Sequence, residues 1–149
     1  MLDRIARSTE RSLWSYARPP ADVESRDTAS AIARAACRLA DYVRAKAIVA
    51  PTQTGATARR VSMYHPQHPI VAICTDPRVA RELKLYRGII PILSNKARTV
   101  DWLFERADAA AERLGLARKG ERIVVTSGTP GMKGTTDLIK VSIVGGKGQ

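Results

Sequence analysis

The chain is expected to fold as an α/β protein: a three-layer α/β/α sandwich around a five-stranded mixed sheet of order 3-2-1-4-5, with strand 5 antiparallel. Three observations predict this. Apolar runs of strand length at 47–51, 70–74, 89–93 and 122–126 alternate with segments of helical periodicity, the pattern that builds parallel strands joined by helical crossovers. The run Ile70-Val71-Ala72-Ile73-Cys74 is apolar throughout, as a strand covered on both faces requires. The last run, Asp137 to Val144, alternates instead, with Leu138, Lys140 and Ser142 on one face and Ile139, Val141 and Ile143 on the other. That marks a final strand with one face less buried. Right-handed crossovers then place strands 1, 2 and 3 in one direction and strand 4 on the far side of strand 1.

The length of 149 residues fits one domain spanning 1–149, with a helical part at 1–45, a sheet-forming part at 46–144 and a tail at 145–149 that should fray. Leu2, Ile5, Ala6, Thr9 and Leu13 share one helical face, so a first helix is expected over 2–14. Pro19-Pro20 ends it and opens a polar linker to Arg26. Asp27 or Thr28 caps a second helix, whose expected inner face is Ile32, Ala36, Leu39, Ala40 and Val43. The first strand, Ala47 to Pro51, runs into a loop of small hydroxylated residues and then a helix from about Thr57 to the Pro66 turn. Asp76-Pro77 is a cap followed by proline at the first helical position, and that helix carries Val79 and Leu83. Arg87-Gly88 breaks it before the third strand, where Pro91 implies an edge position. After the basic loop Ser94 to Arg98, Val100, Leu103, Phe104, Ala107, Ala111 and Leu114 keep a helical stripe closed by Gly115. Arg122 to Thr126 is the fourth strand, and the Gly-rich turn Ser127 to Thr136 leads to the fifth.

Composition narrows function. Net charge is +11, and it is spread: residues 1–60 carry 11 basic and 6 acidic side chains, the remainder 14 and 8. Such a field draws anions. Only 5% of residues are aromatic and none interleave with basic runs, which disfavours nucleic acid as a partner. No apolar run approaches the ~18 residues of a membrane span, and residues 1–5 lack a signal peptide's apolar segment. Cys37 and Cys74 sit inside apolar patterns, and His65 and His68 flank a turn. None has the spacing of a metal site, so no metal ligand and no cofactor is assigned to this chain. A cytoplasmic, reducing location is expected. No Ser/His/Asp or paired-carboxylate arrangement supplies a catalytic residue.

The stretch Thr52-Gln53-Thr54-Gly55-Ala56-Thr57 is the candidate binding site. A strand, a small-residue loop and a helix start direct free amides and a positive helix end at one spot. Gly55 permits close backbone approach, and the hydroxyls of Thr52, Thr54 and Thr57 can donate to phosphate oxygens. Neither a P-loop nor a dinucleotide fingerprint is present, and a plain turn capped by threonines is the competing reading. The expected strand order puts this loop beside Ser127–Thr136 at the switch point, where ligands bind in open α/β sheets. Lys133 can add charge there, as can Lys96 or Arg98 from the neighbouring strand end.

These residues resemble the C-terminal domain of pyruvate kinase over nearly the whole chain. Ile5-Ala6 with Thr9-Glu10 looks like its first helix. Pro51 through Arg59 with Val61-Ser62-Met63-Tyr64 and Pro66 looks like its phosphate-loop segment. Tyr86-Arg87-Gly88-Ile89 with Pro91 is similar to its third-strand entry. Gly128, Pro130-Gly131, Gly134, Thr136 and Lys140-Val141 resemble its closing hairpin. The resemblance implies a regulatory domain of a glycolytic pyruvate kinase that takes part in oligomer assembly and holds a phosphorylated effector, namely fructose 1,6-bisphosphate, AMP or a sugar monophosphate. It implies that Thr52 to Thr57 grip one phosphate. It also implies that Lys96 and Arg98, with the closing-loop residues Gly131, Lys133, Gly134 and Thr135, can hold a second phosphate or cover the ligand. Gln53 stands where some bisphosphate-regulated members carry Lys, and Trp102 lies within a helix pattern. Both departures leave monophosphates open. Phosphoryl transfer between phosphoenolpyruvate and ADP, with Mg²⁺ and K⁺, belongs in that family to a (β/α)₈ barrel of ~250 residues, for which this chain has no room. The expected partners are that catalytic barrel and further copies of the chain, through the last strand or helix 27–43. The alternative is a free-standing protein that binds, or acts on, a phosphorylated small molecule.

Overall fold

The computed structural model describes residues 4, 5, 8, 9, 27–95, 99–128 and 135–146. Arg4, Ile5, Ser8 and Thr9 are helical, within the helix expected at 2–14. The linker to Arg26 and residues 147–149 of the tail lie outside the described residues.

The ordered elements are α1 (Thr28–Tyr42), β1 (Ile48–Thr52), α2 (Ala56–Met63), β2 (Ile70–Cys74), α3 (Pro77–Leu83), β3 (Ile89–Leu93), α4 (Val100–Arg113), β4 (Arg122–Ser127) and β5 (Leu138–Ile143). The sheet order is β3-β2-β1-β4-β5. The first four strands are parallel, and β5 runs antiparallel to β4. Helices α1, α2 and α3 cover one face of the sheet, and α4 covers the other. The expected sandwich, strand order and antiparallel last strand are all present.

Local chemistry explains the helix starts. Asp27 is the cap of α1. Its carboxylate accepts from the amides of Ala29 and Ser30, both at 3.3 Å, and from the Ser30 hydroxyl at 2.9 Å. The Ser30 hydrogen bond is the main reason the Asp27 carboxyl titrates below the usual range. Asp76 accepts from the Arg78 amide at 2.7 Å with Pro77 next in line, and Thr99 caps α4 through the Trp102 amide at 3.2 Å. Each such cap satisfies an amide that the helix cannot.

Two expectations need correction. Of the expected inner face of α1, Ala36 and Ala40 are buried and Leu39 and Val43 pack against the core from its flank, but Ile32 is only half-buried, and the rest of the face is Ala29, Ala33 and Cys37. Alanines let the helix lie close to the sheet, so the larger side chains flank the contact rather than fill it. Nor does β1 stop at Pro51: it runs to Thr52 and pairs with β2 at all five positions. It pairs with β4 only at Ile48 and Val49. The Ile48 amide donates to Pro69 on the β2 side, so alternate residues of β1, including position 51, face β4. Proline has no N–H to continue that ladder. The two strands therefore part above Val49, which opens the C-terminal end of the sheet at its switch point.

Both cysteines are buried and free. Burial pushes the Cys37 thiol up to about 12 and the Cys74 thiol up to about 11, so both behave as small apolar residues at neutral pH. His68 Nε2 lies 2.9 Å from Asp41 Oδ1. On β5, Ile139 and Val141 pack on the α1 side, and Lys140 Nζ lies 4.0 Å from the Phe104 ring centroid on α4. The alternation is therefore real, although neither face is uniformly buried: Ser142 is buried and Ile143 is 49% exposed.

Candidate functional site

The C-terminal ends of β1 and β4 form the switch point. From β1 the chain enters Gln53 and Thr54, both exposed, and turns at the buried Gly55. Thr52 Oγ1 accepts from the Gly55 amide at 2.9 Å, which folds the loop onto its own strand. Gly55 has φ +80°, a left-handed conformation, and serves as the cap residue of α2 without any side-chain hydrogen bond. The first amides of α2 therefore have no side-chain cap, and the positive end of the helix dipole faces the crevice.

Thr57 sits in the first turn of α2 and is buried. Its hydroxyl lies 2.8 Å from that of Thr136, which is also buried and precedes β5. This bond joins the β1–α2 loop to the β4–β5 connection, 79 residues apart in sequence. The stem of that connection is held by the Asp137 amide donating to Ser127 O at 3.2 Å. On the neighbouring β4, the Thr126 hydroxyl is fully buried and has no hydrogen-bond partner among the described residues.

Of the residues singled out from sequence, Thr52, Gln53, Thr54, Gly55, Ala56 and Thr57 thus lie together, and Thr135 is exposed beside Thr136. Lys96, Arg98, Gly131, Lys133 and Gly134 lie outside the described residues. The hydroxyls differ in role. Thr57 is committed to Thr136, Thr52 spends one lone pair on Gly55, and Thr54 faces solvent.

Sequence reading passed over Arg59 as a site residue. Its NH1 lies 3.2 Å from where a Cβ on Gly55 would stand. Its guanidinium also lies 5.9 Å from the Tyr86 ring centroid and 4.0 Å from Glu82 Oε2. Its position four residues after Gly55, one helical turn on, was the available signal. Among the described residues, no group of three or more His, Cys, Asp or Glu side chains stands where it could hold a metal ion. No described helix is long and apolar enough to cross a membrane.

Removing either hydroxyl of the Thr57–Thr136 pair leaves the other buried without a partner. Thr57→Val and Thr136→Val are each expected to lower the unfolding free energy by about 1–2 kcal/mol. The double variant should lose clearly less than the sum, because no orphaned hydroxyl remains. Urea unfolding of the four proteins measures the coupling, and strict additivity would mean that the two loops are not joined.

Comparison with known proteins agrees with this architecture. Residues 30–142 match the family model described as "Pyruvate kinase, alpha/beta domain". The chain is similar to a pyruvate kinase of Thermotoga maritima, at 36% identity over 141 residues covering 95% of this chain and 30% of that protein. It is similar to a pyruvate kinase of Clostridium acetobutylicum at 38% identity, covering 81% of this chain and 26% of that protein. For one of Sporosarcina psychrophila the identity is 31%, covering 97% and 25%. The chain thus spans less than a third of the length of these curated relatives.

Proposed function

Because the chain belongs to the pyruvate kinase alpha/beta-domain family, we propose that it is the regulatory, effector-binding and assembly domain of a pyruvate kinase. In this reading a phosphorylated metabolite occupies the crevice between the β1–α2 loop and the β4–β5 connection. The observation that carries it is the Thr57–Thr136 hydrogen bond at 2.8 Å. It ties two small-residue loops together beside a helix start with no side-chain cap, where the β1–β4 ladder has already parted. Amides of the first turn of α2, with the hydroxyls of Thr52 and Thr54, are suited to phosphate oxygens. Arg59 supplies a neighbouring positive charge.

Occupation of the crevice would tighten both loops, since the phosphate adds partners to each. The β4–β5 connection leads directly into β5, an edge strand, and exposed edges are natural pairing surfaces. Effector binding and contact between copies, through β5 or α1, are thereby linked through one short segment. Phosphoryl transfer from phosphoenolpyruvate to ADP, with its Mg²⁺ and K⁺, is assigned to the catalytic barrel of such an enzyme rather than to the residues of this chain.

The test is a calorimetric titration of this chain with AMP, glucose 6-phosphate, ribose 5-phosphate and fructose 1,6-bisphosphate near physiological salt, repeated with Thr54→Asp. Thr54 is exposed, so the variant places a carboxylate in the loop without straining the fold. At least one ligand is expected to bind, and the variant should weaken it at least tenfold by repulsion between like charges. Failure of all four to bind, or an unchanged affinity in Thr54→Asp, would overturn the effector reading.

A further inference from the structure

The opposite face of the sheet carries a second concavity. Where the C-terminal ends of β2 and β3 meet α4, a shallow open cleft of about 80 Å³ is floored by Ile73, Ile92 and Ala110 and edged by Ser94, Arg106 and Arg113. It lies under α4, whereas the Gly55 loop joins β1 to α2 on the other face. Arg106 and Arg113 are seven residues apart, about two helical turns or ~10 Å, and so stand on one side of α4 with the alanines between them.

The electrostatics of this cleft are one-sided. Elsewhere three of the described carboxylates engage cations: Glu121 faces Lys46, Glu82 faces Arg59, and Asp27 faces Arg60. Among the described residues no carboxylate lies within 4.0 Å of Arg106 or Arg113. Arg106 instead has its guanidinium 5.0 Å from the Trp102 ring centroid. Stacking of this kind occupies the face of the guanidinium and leaves its edge N–H groups directed outward. Ser94 adds a hydroxyl at the mouth, while its amide is already bonded to Cys74 O at 2.9 Å. The cleft thus offers apolar surface between two cationic donors, and its polar lining side chains carry no charged acceptor.

Backbone pairing is a poor alternative use of this edge. β3 is the outer strand, and Pro91 at its centre lacks the N–H that an added strand would need. A compact ligand held by side chains fits better than an extended peptide. From this juxtaposition we infer that the cleft between α4 and the ends of β2 and β3 is a binding site for a small organic anion with an apolar body. Its carboxylate or phosphate is held by Arg106 and Arg113, and its apolar part lies on Ile73, Ile92 and Ala110. The site is independent of the effector crevice, and the inference does not rest on the proposed function.

The test uses 8-anilinonaphthalene-1-sulfonate, an apolar aromatic anion, titrated against the folded chain by fluorescence at ~0.15 M salt, an ionic strength that screens long-range attraction. Amide chemical shifts follow the same titration. Saturable one-site binding is expected, with shifts centred on Ser94, Ala109 and Arg113. Arg106→Gln with Arg113→Gln should weaken binding at least tenfold, and Ala109→Phe, at an exposed position on the lining, should abolish it by filling the cleft. Arg122→Gln removes an exposed charge outside the cleft and should leave the affinity unchanged. Unchanged melting curves for each variant establish that the fold is intact. Non-saturable binding, an equal loss with Arg122→Gln, or shifts confined to the Gly55 loop would each overturn the inference.

Discussion

Leu83→Ala is expected to lower the unfolding free energy of this chain by about 2–5 kcal/mol. Leu83 is among the largest side chains with no exposed surface at all. It comes from the last turn of α3, a helix of only 7 residues, which is too short to be stable without tertiary packing. The side chain enters the cluster formed by α1, α2 and the inner face of the sheet. One of its methyl carbons, Cδ2, also approaches the position a Cβ on Gly55 would take, at 3.1 Å. Truncation therefore leaves a void under both α3 and the β1–α2 loop. Against a total stability of about 5–15 kcal/mol for a domain, that is a large fraction. Leu85, two residues on and 88% exposed, is the internal control, since Leu85→Ala should change stability by no more than about 0.5 kcal/mol. Urea unfolding with an unchanged slope checks both. A loss below about 1 kcal/mol at Leu83 would mean that α3 does not pack as described.

Most of the framework was legible in the sequence because its signals are short-range. The Asp76-Pro77 start, the continuous apolar β2 and the edge position implied by Pro91 each follow from one or two residues. Strand order followed once the crossovers were taken as right-handed. Two features depart from the local pattern for one shared reason: that pattern does not report what a residue faces. The inner stripe of α1 is mostly alanine, which gives weak contrast, so Ala29 and Ala33 carry no signal beside Ile32, while Leu39 and Val43 do pack against the core. Pro51 looks like a strand end, and only the pairing of β1 on both sides shows that it sits within the strand and stops one ladder. The candidate loop was found by composition, but the division of labour among its hydroxyls was not. That Thr57 would turn to Thr136 rather than outward depends on a contact across 79 residues, which no window of sequence contains.

The same loop sets the second large effect. Gly55→Ala is expected to cost about 2–3 kcal/mol, from two separable causes. The first is backbone conformation: φ is +80° at Gly55, and a side chain in the left-handed region costs roughly 1–2 kcal/mol. The second is contact. A Cβ there would stand 3.1 Å from Leu83 Cδ2, 3.2 Å from Val79 Cγ1 and 3.2 Å from Arg59 NH1, so α3 or the loop must shift. Gly88 separates the two, for it has φ +72° but nothing within 4 Å of a Cβ. Gly88→Ala should therefore show the backbone cost alone, about 1–2 kcal/mol, and the excess at Gly55 measures the contact. Combining Gly55→Ala with Leu83→Ala provides a further check, because the void left by Leu83 gives the new methyl room and the pair should lose less than the sum. Equal losses at Gly55 and Gly88 would show that the loop does not rest against α3. If the excess is found, glycine at 55 is required by packing as well as by backbone geometry. The site's closest backbone approach would then be set by the same α3 contacts that hold the core beneath it.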